Sequence, residues 1–177
     1  NDMCMAPYLD KMLEAGVSSI KIEGRAKTEY YVAVTANAYR GAIDSLKDSK
    51  GDWVLPQWVS EELNKISHRT YSTGFYLGKP ENAQTYKDAG YIRDYALAAV
   101  VDGYEDGCIT ATLKNKFLSG TELDCLEAGS IPFGVDTTLL YNQDGKQIES
   151  AYQPMMKIKI PFCREVKPGS MLRMKVK

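Results

Sequence analysis

The chain lacks most of the features that would assign it a chemistry at first sight. It has one histidine, His68, so a mechanism built on an imidazole base has a single candidate. Its four cysteines, Cys4, Cys108, Cys125 and Cys163, form no Cys-x-x-Cys pair and no short-spaced framework. The expectation is therefore reduced, mostly buried thiols in a cytoplasmic protein, not a disulfide scaffold. No apolar run approaches the roughly 20 residues of a membrane span. The start, Asn1-Asp2-Met3-Cys4, has neither the basic residues nor the apolar stretch of a secretory signal. An excess of charge is missing too. Lys and Arg total 22 and Asp and Glu 23, for a net charge of −1, so no global field draws the chain to nucleic acid or to a membrane surface. There is no internal repeat and no low-complexity segment.

What is present is an ordinary globular composition, 44% hydrophobic and 25% charged over 177 residues, enough for one domain or two small ones. The two halves follow different patterns. Residues 1–78 read as helical with one strand. Met5, Tyr8, Leu9, Met12 and Leu13 fall on one helical face, and Gly16 stops that helix. Ser18-Ser19-Ile20-Lys21-Ile22 reads as a short strand ended by Gly24. Thr28 is the N-cap of a second helix, with Val32, Ala36, Tyr39, Ile43 and Leu46 along one side. Val59, Leu63 and Ile66 share a face of a third. A lone strand leaves its N–H and C=O groups unpaired on both edges, and no neighbour for it lies within residues 1–78. The chain, which opens on Asn1 and not on Met, is thus expected to be the end of a longer protein whose upstream part completes an α/β barrel.

Residues 79–90 read as a polar linker. Beyond it, over 91–177, short β-type runs alternate with turns, and Asp144-Gly145 is a hairpin signal. This spacing predicts a small antiparallel β-barrel with Lys157, Lys159, Arg173 and Lys175 facing outward. The expected class is α+β: the C-terminal piece of an α/β, TIM-like barrel followed by that β-barrel.

Three ordered blocks carry a resemblance. The first runs from Leu13-Glu14-Ala15-Gly16-Val17 through Ser19-Ile20-Lys21-Ile22-Glu23-Gly24-Arg25-Ala26-Lys27 to Tyr30-Tyr31-Val32-Ala33 and Ala38-Tyr39-Arg40. The second is Ser67-His68-Arg69-Thr70-Tyr71-Ser72-Thr73-Gly74-Phe75-Tyr76. The third is Leu113-Lys114-Asn115-Lys116-Phe117 through Gly120-Thr121-Glu122-Leu123, with Thr121 where Asp is common. Together they resemble the peptidase U32 family, also called collagenase-like peptidases. The resemblance implies a catalytic barrel followed by the family's C-terminal β-barrel. Its better-understood members take part in hydroxylation, including the prephenate-dependent formation of 5-hydroxyuridine at the tRNA wobble position. Several bind an iron–sulfur cluster through four cysteines.

On that basis Cys4 resembles the last of the cluster's four ligands. A [4Fe-4S] cluster is expected only in the intact protein and no cofactor in this fragment, whose other cysteines fall in the β-rich half. Lys21, Glu23 and Arg25 share one face of the expected strand and leave it at the end that faces a barrel's active site. They are the catalytic candidates: an anion-binding set in which Glu23 acts as a base or holds Arg25, set against a structural ion-pair network at a barrel rim. Lys27, His68, Arg69, Tyr71 and Phe75 are the substrate-binding candidates, with His68 equally readable as a helix-end residue bonded to backbone carbonyls. Three readings follow: a component of tRNA hydroxylation, itself inactive as a fragment; a genuine protease; or a β-barrel module binding RNA or a protein. Expected partners are the upstream part of its own barrel, tRNA or a protein, and a second copy joined through an exposed barrel edge, with no membrane involved.

Overall fold

One long helix organises the first half of the chain. In the computed structural model, which describes residues 1–79 and 90–176, the chain divides into two units, Asn1–Asp94 and Tyr95–Lys177. The linker expected at 79–90 lies almost wholly outside the described residues. The first unit begins with a short strand, Asp2–Met3 (β1), then a 3-10 turn at Ala6–Tyr8 and a helix at Leu9–Glu14 (α1). Helices Glu29–Asp48 (α2) and Gln57–Asn64 (α3) and a strand at Tyr71–Ser72 (β2) follow. Gly16 takes a φ of +84° just past α1, the left-handed conformation that favours glycine at a helix end. Thr28 caps α2: its Oγ1 accepts the Tyr31 backbone N–H at 3.3 Å, satisfying one of the helix's free donors.

The buried side of α2 is Tyr30, Val34, Thr35, Ala38 and Ala42, which shifts the expected stripe. Val32 and Ala36 are exposed, while Tyr39, Ile43 and Leu46 pack at the edge of the core. The reason is size. Small residues let α3 approach closely, and Trp58 of α3 lies directly over Gly41. On α3 and just beyond it, Val59, Leu63 and Ile66 are each buried, as their spacing predicts.

The strand expected at Ser18–Ile22 does not form. Residues 17–24 adopt no regular structure, and Val17 through Glu23 are all exposed. A strand exists only through its neighbours, and no described residue offers one to this segment. Its backbone groups therefore turn to water.

The second unit is all β. Its strands are Tyr95–Glu105 (β3), Cys108–Leu113 (β4), Phe117–Leu118 (β5), Leu123–Leu126 (β6), Phe133–Val135 (β7), Tyr141–Asn142 (β8), Ser150–Ala151 (β9), Lys157–Pro161 (β10) and Met171–Lys175 (β11). Seven form one antiparallel sheet in the order β7-β6-β11-β3-β4-β10-β8, and β5 pairs with β9. The sheet curls into a half-barrel and does not reach the closed barrel its spacing predicts. Its terminal strands β7 and β8 are three and two residues long, too short for a closing ladder. The expected Asp144-Gly145 turn is present. Gly145 has a φ of +78°, and the Asn142 N–H donates to the Lys146 carbonyl across it at 2.9 Å.

Simple alternation places Arg173 outside with the lysines, but Arg173 is 0% exposed. The register of β11 against β3 shifts between Leu172 and Arg173, where Ala98 of β3 is the extra residue, while β11 stays in register with β6. Leu172 and Arg173 therefore keep opposite faces, and both are covered. The guanidinium pairs with Asp124 at 3.3 Å and lies 5.8 Å from the Tyr95 ring centroid. The thiols also depart from uniform burial. All four are free; Cys125 is buried, Cys4 and Cys108 are half-buried, and Cys163 is exposed. Burial, and then Glu127 nearby, push the Cys125 thiol up to about 12, so it is inert at neutral pH.

The packing at Gly41 yields a test with a defined sign. On an exposed helix Gly→Ala stabilises by about 1 kcal/mol. A Cβ on Gly41 would fall inside the Trp58 ring, and overpacking of this kind costs about 1–3 kcal/mol. Gly41→Ala is therefore expected to lower stability, by up to about 2 kcal/mol, in urea unfolding; a gain would show that α3 yields freely.

Candidate functional site

The site is built by joining the start of the chain to the segment after α3. β1 and β2 run parallel, with Asp2 opposite Tyr71 and Met3 opposite Ser72. The Asp2 N–H donates to the Thr70 carbonyl at 3.0 Å and the Cys4 N–H to the Ser72 carbonyl at 2.9 Å. The Asp2 side chain completes the joint. Its Oδ2 accepts the Arg69 backbone N–H at 3.0 Å, and its Oδ1 accepts the Arg69 Nε–H at 2.9 Å. Burial opposes the charge on Asp2, but the Arg69 N–H and guanidinium outweigh it and hold the carboxyl below its ordinary range.

This joint opens a cleft of about 390 Å³. Of the residues the sequence singles out, Cys4, Lys21, Glu23, Lys27, Arg69 and Tyr71 line it. Three others do not. Arg25 is exposed, and its backbone N–H donates to Glu23 Oε1 at 2.9 Å, so Glu23 is held by main chain and not by the Arg25 guanidinium. His68 is 4% exposed. Its ring stacks on Tyr71 at 4.3 Å, and its Nδ1 lies 2.8 Å from the Arg69 carbonyl oxygen. It is a packed residue bonded to backbone. Phe75 is 76% exposed and outside the cleft.

Four tyrosines contribute to the walls. Tyr31, Tyr39, Tyr71 and Tyr91 all line the cleft. Burial, followed by the neighbouring Cys4, pushes the Tyr39 and Tyr71 hydroxyls well above the ordinary phenol range, and burial raises Tyr31 as well. These phenols therefore keep their protons at neutral pH and serve as donors and flat surfaces, not as bases. Tyr71 donates to the Leu63 carbonyl at 2.6 Å. Sequence reasoning missed Asp2, Tyr31, Tyr39 and Tyr91 as site residues. Asp2 meets Arg69 across 67 positions, and no local spacing encodes such a contact.

Lys21, Lys27 and Arg69 outnumber the two carboxylates of the lining, Asp2 and Glu23, and Asp2 is committed to Arg69. The cleft thus suits an anionic, flat ligand. It does not by itself suit a metal cluster. Cys4 is one thiolate, its Sγ 3.9 Å from the Tyr39 hydroxyl, whereas a four-iron cluster takes four. Cys108, Cys125 and Cys163 belong to the second unit. Among the described residues no group of three or more His, Cys, Asp or Glu could hold a metal ion. The described residues alone do not make a cluster site.

Comparison with known proteins agrees with the block structure of the sequence. Residues 1–86 match the model of peptidase family U32, and residues 93–173 match the model of the peptidase family U32 C-terminal domain. The tRNA hydroxylation protein P1 of Bacillus subtilis is 27% identical over 97% of this chain and 42% of its own length. The tRNA hydroxylation protein P of Escherichia coli is 31% identical over 76% of this chain and 30% of its own. A collagenase of Porphyromonas gingivalis is 31% identical over 49% of this chain and 21% of its own. The chain therefore spans less than half the length of these relatives.

The Asp2–Arg69 joint has a pH signature. Asp2 is held below its unfolded value of about 3.9. Its contribution is present above that value and lost as pH falls through the lower folded one. Asp2→Asn is expected to destabilise the first unit by about 0.5–1 kcal/mol at neutral pH. The difference from wild type should shrink as the pH falls below the unfolded value and vanish once Asp2 is protonated in the folded state too. Chemical denaturation of both proteins across pH checks this, and a difference constant with pH would mean that the charge plays no part.

Proposed function

The chain belongs to peptidase family U32, and from that premise we propose that in the intact protein it serves tRNA wobble-uridine hydroxylation, not proteolysis. The cleft carries the reading. It is cationic and walled by tyrosines, a combination that suits a nucleotide or a carboxylate co-substrate such as prephenate better than a neutral peptide. Lys21 and Lys27 would draw the anion in, Arg69 would bind it in an orientation fixed by Asp2, and the tyrosines would stack on a ring. Glu23 would handle a proton at the mouth. The relatives similar over most of this chain are tRNA hydroxylation proteins, which points the same way.

The rival reading, a peptidase, has the family's title and a partial likeness to a collagenase behind it. The lone imidazole gives it no help. His68 is stacked on Tyr71 and bonded to the Arg69 carbonyl, where it activates no serine or cysteine.

The same proposal gives residues 17–24 a place. Their alternating Ile20, Lys21, Ile22 and Glu23 would form a strand of an α/β barrel whose other strands lie outside these 177 residues. Cys4 would then supply one thiolate of a cluster completed from outside the chain. The chain alone would have no turnover.

The test is made in cells with the full-length protein. Deletion is expected to remove 5-hydroxyuridine from the wobble position, as read by nucleoside mass spectrometry. The wild-type gene restores it, and Lys21→Ala or Arg69→Ala lowers it by at least about tenfold, the worth of one charge-assisted contact. An unchanged modification profile in the deletion strain would sink the proposal. So would gelatin cleavage by the purified protein that is lost with the same substitutions.

A further inference from the structure

One phenol ring gathers more positive charge than its surroundings neutralise. Tyr91 lines the cleft and is 44% exposed. The Lys27 ammonium lies 4.6 Å from its ring centroid, the Arg93 guanidinium 5.5 Å and that of Arg69 5.6 Å. Ser67 ties two of these together. Its carbonyl accepts from Lys27 Nζ at 3.4 Å, and its Oγ accepts from Arg93 Nε at 3.2 Å. Asp2, whose carboxyl also feels Lys27, is spent on Arg69. Among the described residues no carboxylate forms an ion pair with Lys27 or Arg93.

Two such cations held about one serine and one ring repel each other. The ring face attracts each, but weakly at an exposed site. An anion bridging them removes the repulsion and gains two charge-assisted hydrogen bonds. A guanidinium beside an ammonium matches the two non-bridging oxygens of a phosphodiester, one to each. Two further features favour a nucleic-acid phosphate over a free one. An aromatic ring among cations is the arrangement by which proteins follow a single-stranded backbone. The cleft of about 390 Å³, with Tyr91 itself in its wall, lies directly inside the cluster and gives an unstacked base somewhere to go.

We propose that Lys27 and Arg93, gathered around Ser67 and Tyr91 at the rim of the cleft, bind a backbone phosphate of the RNA nucleotide whose base enters it. The proposal rests on the tRNA reading above and adds a contact that reading does not contain. The phosphate contact fixes position, not sequence.

The test titrates the 177-residue chain with a fluorescently labelled tRNA anticodon arm over a range of salt concentrations. Variants are Lys27→Gln with Arg93→Gln, and separately Arg93→Lys, each checked for an unchanged thermal transition. The double variant is expected to bind about tenfold more weakly, whatever the loop sequence, with a salt slope reduced by about 1. Arg93→Lys keeps most of the affinity and serves if the double variant does not fold. Unchanged affinity and slope in a folded double variant would overturn the proposal, as would a wild-type chain that binds no RNA. Inorganic phosphate is titrated in parallel. If millimolar phosphate binding is lost in the double variant while RNA binding is kept, the site takes free phosphate and the RNA assignment is wrong. A full-length double variant that restores wobble hydroxyuridine completely would overturn the clamp and leave the tRNA reading standing. Loss of the tRNA reading shows separately, as a deletion strain with normal hydroxyuridine.

Discussion

The geometry of the first unit depends on the joint between Asp2 and Arg69. It is a small construction: two residues of parallel strand on each side, and one carboxylate bonded to both the backbone and the side chain of the same arginine. With the packing of Cys4 against the helical core, it brings Cys4, Arg69 and Tyr71 to one cleft. The bidentate geometry matters more than the charge. An exposed ion pair alone contributes little, but a carboxylate fixed to a main-chain N–H also sets the direction of the guanidinium it holds. The joint thus acts twice, closing the fold and orienting a binding group.

The second unit solves a different problem. A seven-stranded sheet with short ends must curl without closing, and its bulges supply the bend. Beside one of them Arg173 is fully buried. A buried guanidinium is costly unless paired, and Asp124 on the neighbouring strand β6 meets it. The pair also ties the strand register to a polar contact, because a slip of one residue would separate the two groups. On the outer face, Lys157 is tied to Asp102 at 2.9 Å and to Thr112 at 2.6 Å, so it is less free to meet a partner than its alternation implies.

Local signals were legible in the sequence, and pairings between distant segments were not. The Thr28 cap, the Gly16 stop and the Asp144-Gly145 turn are each decided within a few residues, and each is where its residue type predicts. The strand at 18–22 failed because its existence depends on neighbours and not on its own alternation. Arg173 failed because alternation tells which face a residue takes and not whether that face is covered. The expected α2 stripe holds only in part, because the buried face is set by where α3 approaches over Gly41, a contact that periodicity alone does not encode. In the site, Lys21, Glu23, Lys27, Arg69 and Tyr71 were legible through the blocks that carry the family resemblance, and they do share a cleft. Their partners Asp2 and Tyr91 lie far away in sequence, and Arg25, grouped with Lys21 and Glu23 by the alternation of a strand that does not form, and Phe75 lie outside the cleft.

Both tryptophans of the chain, Trp53 and Trp58, belong to the first unit, where they pack against the cluster formed by α2 and α3. The second unit has none. Indole emission excited at the red edge therefore reports on the helical unit alone, while the β-rich unit is silent to it and visible mainly in the far-ultraviolet dichroism. The molecule thus carries its own test of cooperativity. Superimposed fluorescence and dichroism transitions would mark the two units as unfolding together, and separated ones would give each its own stability.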